Sequence, residues 1–162
     1  RYRCAQEGVG WMIRLIAALS VVGMAVLGLA SAGYAPYHTQ QPPQAAAGDV
    51  KAQVTTAVSH AGFAAAATTF GGAQQHLGHA LNCIEGKGGK NFNASWGHPC
   101  EGQGNGILND LRGVAGSGAL MPLVQSAGAL ATSGVKSNDL TAARLAARGV
   151  EALLRLVAEN LK

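Results

Sequence analysis

HLGHALNC at residues 76–83 is the stretch that determines how this chain folds, together with WGHPC at residues 96–100. The two segments hold three of the five histidines and two of the three cysteines. The first segment ends the longest helical pattern in the chain, and a polar, glycine-rich loop separates it from the second. We expect a link between Cys83 and Cys100 to fold that loop back over the end of a helix.

The composition favours helices over strands. Charged residues make up 12% and aromatic residues 5% of the chain, whereas alanine and glycine are abundant. Because the β-branched and aromatic residues typical of sheets are scarce, the sequence predicts an all-α fold. We expect a small helical bundle of about four helices with one long disulfide-stapled loop.

The start of the chain has the pattern of a secretory signal peptide. Arg14 precedes an apolar run over residues 15–30, and Ala30-Ser31-Ala32 is a small-residue cleavage pattern. Met12 is a natural initiator, so residues 1–32 are interpreted as upstream residues plus the signal peptide. The alternative is a membrane anchor, but the run is shorter than the roughly 20 residues that a spanning helix needs.

This pattern predicts a periplasmic or secreted protein, with membrane association only through an uncleaved leader. Residues 33–48 are proline-rich and aperiodic and predict a flexible lead-in, and residues 49–162 form the predicted helical bundle domain. The formal net charge of +4 falls to +2 without the leader, which carries three arginines and one glutamate. No lysine or arginine cluster follows, so nucleic-acid binding is not expected.

One long helix is predicted from an Asp49 cap to Cys83. Its interior has no charged residue between Lys51 and Glu85. A seven-residue apolar repeat predicts one buried face, and a kink or break is expected at Gly71-Gly72. The repeat comprises Phe63, Phe70, Leu77 and Ile84.

Further helices are predicted over residues 107–114 and 119–131, and a last one after residues 137–139. The last helix carries an unbroken stripe at spacings of three and four, which indicates core packing rather than a zipper for a partner. The stripe consists of Leu140, Ala143, Ala147, Val150, Leu154, Val157 and Leu161.

Export leaves Cys83 and Cys100 as the only cysteines, so we expect them to form a disulfide. His79 lies one turn before Cys83, His76 lies a further turn back, and His98 lies two residues before Cys100. The disulfide should therefore bring the three imidazoles together, a ligand set suited to Cu, Zn, Ni or Fe. The fourth metal ligand could be water, Asn82, Glu85 or Met121, and the sequence does not select one of them.

Two alternatives to this metal site remain. The first is a structural or interaction module of the cell envelope, with an unknown envelope partner and histidines that only pack. The second, in a reducing compartment, is a tetrahedral zinc set, which would comprise His79, Cys83, His98 and Cys100. Elsewhere, His60 is expected to be a core histidine and His38 to be solvated in the lead-in.

Enzyme signatures are lacking: the sequence has no G-x-S-x-G, Walker or H-E-x-x-H motif. We therefore expect a non-catalytic protein. The segment H-x-x-H-x-L-N-C with the later G-H-P-C-x-G-Q-G resembles a pattern of uncharacterised exported bacterial helical proteins. The resemblance covers residues 76–106 and implies an exported helical protein without naming an activity.

Overall fold

A computed structural model describes residues 48–162 of the chain. The predicted leader, His38 and all but the last residue of the predicted lead-in lie outside the described residues. The described part is all-α, as predicted, and has five α-helices rather than about four. They are α1 (Val50–Ala66), α2 (Phe70–Glu85), α3 (Ile107–Asp110), α4 (Met121–Lys136) and α5 (Leu140–Asn160).

Four of these helices are long and form a bundle. Helix α1 packs against α2 and α5, and α4 packs against the same two helices, so the four helices surround one core. Helix α3 is a single turn in the connection between α2 and α4. Within residues 48–162, no helix combines the length and the apolar character that crossing a bilayer requires.

The helix expected over residues 49–83 is divided into α1 and α2, because the chain breaks between Ala66 and Phe70. The break does not lie at Gly71-Gly72, which belong to the first turn of α2. Instead, Thr69 has extended backbone and its hydroxyl accepts a hydrogen bond from Gly72 N at 3.2 Å, which caps α2. The predicted seven-residue stripe is interrupted as a result, and Phe63 is 55% exposed.

The predicted stripe of α5 is confirmed over its central five positions, which are fully buried. Small side chains line much of the bundle interior and allow the helices to approach closely. At Gly134 on α4, an added Cβ would lie 2.3 Å from the Leu77 side chain of α2. The core therefore depends on alanine and glycine as much as on leucine and valine.

The long loop between α2 and α3 is fixed to α1 by a buried polar side chain that the sequence pattern did not reveal. Gln53 is fully buried, and its Nε2 donates to Asp110 Oδ2 at 2.8 Å. Its Oε1 accepts a hydrogen bond from Gly106 N at 3.0 Å. The end of the loop is thus held against the start of the bundle.

Candidate metal centre

The disulfide expected between Cys83 and Cys100 is present. The two sulfurs are 2.00 Å apart, the Cα atoms are 5.3 Å apart, and both residues are buried. Because the sulfurs are bonded to each other, the alternative zinc set of two cysteines and two histidines is not formed. The bond holds the loop against the end of α2.

Three histidines converge on the outer side of the α1–α2 pair. The Nδ1 atom of His60 lies 3.3 Å from Nδ1 of His76 and 3.2 Å from Nδ1 of His79. One ring nitrogen from each residue lies within 4.8 Å of the other two, and all three residues are partly buried. The group contains no carboxylate and no thiolate, so it offers three uncharged ligands.

The break between α1 and α2 is what brings His60 to this group. In one continuous helix His60 and His76, which are 16 positions apart, would be separated by roughly 24 Å. Because the chain turns at residues 67–69, α1 folds back on α2 and His60 reaches both other histidines. Sequence reasoning missed His60 as a site residue, and the threonine cap at Thr69 was the signal that could have found it.

Hydrogen bonding between the rings cannot satisfy both short contacts of His60. A neutral imidazole nitrogen carries either one N–H or one in-plane lone pair, so Nδ1 makes one such bond. The contacts of 3.2 and 3.3 Å therefore leave one pair of nitrogens without a shared proton. A cation between the rings is one arrangement that gives all three lone pairs a partner.

Burial and repulsion from neighbouring rings favour the uncharged forms of His60 and His79. Burial, and to a smaller extent the neighbouring rings of His79 and His76, together lower the pKa of His60 to about 4. Burial also lowers the pKa of His79, although a hydrogen bond to the Trp96 backbone opposes the shift. Since metal ions bind the neutral imidazole, both rings are in the binding form near neutral pH.

Phe63 forms an aromatic wall beside the group. Its ring centroid lies 5.7 Å from that of His60 and 5.4 Å from that of His76, both in edge-on geometry. The ring is more than half exposed, so this wall lies at the protein surface.

His98 does not belong to the histidine group, although the sequence placed it there with His76 and His79. Its ring packs edge-on against Phe92 at 5.3 Å, and it lines a cavity of about 390 Å³ with Lys87 and Glu101. The disulfide brings the preceding residues, Trp96 and Gly97, to His79 instead. The spacing of residues along the sequence does not specify the direction in which the loop backbone runs. That direction explains why Trp96 and Gly97, rather than His98, lie beside His79.

The other three residues named for the fourth position also serve elsewhere. Asn82 uses its side-chain amide to bind the loop, and Glu85 accepts a hydrogen bond from Asn91 at 2.7 Å. Met121 lies on α4 and packs against the core. Among the four candidates for a fourth metal ligand that the sequence suggested, water is therefore the one compatible with this geometry.

Comparison with family models, curated proteins and solved structures finds no match to this chain. Function is therefore argued from the geometry and chemistry of the histidine group.

Proposed function

We propose that this protein is an exported, non-catalytic helical bundle that binds one transition metal ion through His60, His76 and His79. The observation that carries the proposal is the pair of Nδ1–Nδ1 distances of 3.3 and 3.2 Å around His60. Two nitrogens bound to one tetrahedral metal at about 2.0–2.1 Å are about 3.3–3.4 Å apart. The rings are thus spaced for a shared ion.

The ligand types favour a borderline metal. Three neutral imidazoles without a carboxylate suit Cu, Zn or Ni better than Mg or Ca, which require oxygen ligands. Water would complete a four-coordinate site. The ion would join α1 to α2, since His60 lies on the first helix and His76 and His79 lie on the second.

The disulfide supports export. Structural disulfides form and persist in oxidising compartments, and the bond between Cys83 and Cys100 is buried in the bundle. The signal-peptide pattern in residues 1–32 points to the same compartment.

The competing proposal is a structural or interaction module in which the histidines only pack. It requires each buried ring nitrogen to have a hydrogen-bond partner in the protein or in ordered water. The two short contacts at one nitrogen of His60, which can make only one of them as a hydrogen bond, favour a shared ion over packing alone.

The test is metal titration of protein purified without a histidine tag and freed of metal with a chelator. We expect one Zn²⁺ or Cu²⁺ per chain, measured by competition with a chromogenic chelator. His60→Ala, His76→Ala and His79→Ala should each weaken binding by about 100-fold or more, because two imidazoles remain.

His98→Ala is the matched control, since it removes a partly buried histidine near the disulfide without touching the group. It should bind metal like the unmodified protein. If His60→Ala retained full affinity while His98→Ala lost it, the site would be the one expected from sequence spacing and the proposed ligand set would be rejected.

A further inference from the structure

A short part of the disulfide-stapled loop, residues 93–97, lies directly on α2 beside the histidine group. We call it the cap loop. Gly78 is buried beneath it, and an added Cβ there would lie 2.3 Å from Cδ2 of the Trp96 ring. The indole ring therefore packs on the helix backbone, one residue before His79.

The two ring nitrogens of His79 face different partners. Nδ1 lies 3.2 Å from Nδ1 of His60, whereas the Trp96 backbone lies close enough to the ring to oppose the lowering of its pKa. The Nε2 atom is on the cap-loop side, since a Cβ added to Gly97 would lie 3.3 Å from it. An N–H on Nε2 would face the cap-loop backbone, whose carbonyls can accept it, and this tautomer leaves the Nδ1 lone pair free.

Asn82 holds the cap loop in this place. The residue is fully buried, and its Nδ2 donates to Asn93 O at 2.8 Å and to Gly97 O at 2.6 Å. Its Oδ1 accepts from Asn93 N at 2.9 Å. Every hydrogen bond of this side-chain amide thus goes to the two ends of the cap loop.

We propose that Asn82 is a positioning residue for the metal centre, acting through the cap loop and the Trp96 carbonyl to keep the Nδ1 lone pair of His79 directed at the ion. The inference rests on the proposed metal function. It identifies a buried amide that would not contact the ion but would set its affinity.

The physical basis is the cost of the wrong tautomer. If the carbonyl moves away, His79 can place its proton on either nitrogen, and only one of the two forms can bind the ion. The ring is also free to rotate out of the group. Removing the outer partner of a metal-bound histidine commonly weakens affinity by about 10–100-fold.

The first test uses Asn82→Ala with two readouts. In metal-free protein the ¹⁵N shifts of the His79 ring report the tautomer: we expect the Nε2–H form in the unmodified protein and a mixture in the variant. Zn²⁺ affinity, measured by chelator competition, should fall about 10–100-fold. Val124→Ala, which removes buried volume on α4 away from the loop, controls for general loss of stability.

The second test does not remove Asn82. Gly78→Ala should displace Trp96, because the new methyl group overlaps its ring. Gly71→Ala is the matched control in the same helix, with no atom within 4 Å of the added Cβ. We expect Gly78→Ala to show both the tautomer change and the loss of Zn²⁺ affinity. Gly71→Ala should show neither.

Two results would overturn the inference. One is a His79 ring that keeps the Nε2–H form in both Asn82→Ala and Gly78→Ala. The other is a loss of Zn²⁺ affinity in these variants no larger than in their controls. A failure of the metal function itself would look different: the unmodified protein would bind no Zn²⁺, while the ring tautomer in metal-free protein would still show whether Asn82 positions His79.

Discussion

Asp110 is a buried carboxylate whose hydrogen bonds join three separate parts of the chain. Its Oδ2 accepts from Gln53 Nε2 at 2.8 Å and from Asn105 N at 2.7 Å. Burial opposes its ionisation, but hydrogen bonds from Asn105, Gln53 and the Gly48 backbone outweigh that effect, so the pKa of the carboxyl lies below its usual value. The charged form is therefore the one that the fold stabilises.

Asp110→Ala should lower the free energy of unfolding by about 3 kcal/mol, because the buried amide of Gln53 loses its acceptor and the bonds that hold Asn105 are lost as well. Asp139→Ala is the matched control: it removes the exposed cap of α5, which accepts from Ala142 N at 2.9 Å, and should cost about 1 kcal/mol. Urea denaturation followed by circular dichroism measures both. Equal losses would show that the Asp110 network contributes no more than an exposed helix cap.

His60 predicts a pH dependence of stability in the metal-free protein. Its pKa is about 4 in the folded state against 6.5 ordinarily, so the unfolded chain binds more protons between these values. Stability should therefore be full above about pH 6.5 and fall as the pH drops toward about 4. Urea midpoints between about pH 5 and about pH 7.5 test this, in a range above the titration of Asp110. His60→Gln should show a shallower slope, and an unchanged slope would contradict the assignment.

At the level of helices, sequence pattern predicted α5 because its apolar stripe is regular and its charged residues lie off that stripe. The same reasoning did not locate the break between α1 and α2. The alanine-rich residues before the break are compatible with one continuous helix as well as with two separate helices. Since the break at Thr69 brings His60 to His76, that error removed one ligand from the expected site. His98 was wrongly included because sequence spacing does not determine which way a loop turns.

The junction of α2 with its loop gives a prediction for the disulfide. Replacing Cys83 and Cys100 together by alanine frees a loop with ends 17 residues apart and should cost about 3 kcal/mol of unfolding free energy. Guanidinium denaturation of the double variant, compared with the unmodified protein, measures this cost. The Asn82 hydrogen bonds to the cap loop do not involve the sulfurs, so we expect the helices of the variant still to form. A loss below about 1 kcal/mol would mean that those bonds alone fix the loop.

For the bundle as a whole, an ion bound by His60, His76 and His79 would tie α1 to α2, in addition to the three-residue turn and the packing that already join these helices. An ion that binds the folded state alone should raise the unfolding free energy by about 2.7 kcal/mol when free Zn²⁺ is about 100 times the Kd. His60→Ala should lose this stabilisation, because the two remaining histidines both lie on α2 and cannot join the helices. His98→Ala should keep it. Guanidinium midpoints with and without Zn²⁺ decide the matter, and equal stabilisation of His60→Ala and the unmodified protein would show that the ion does not connect the two helices.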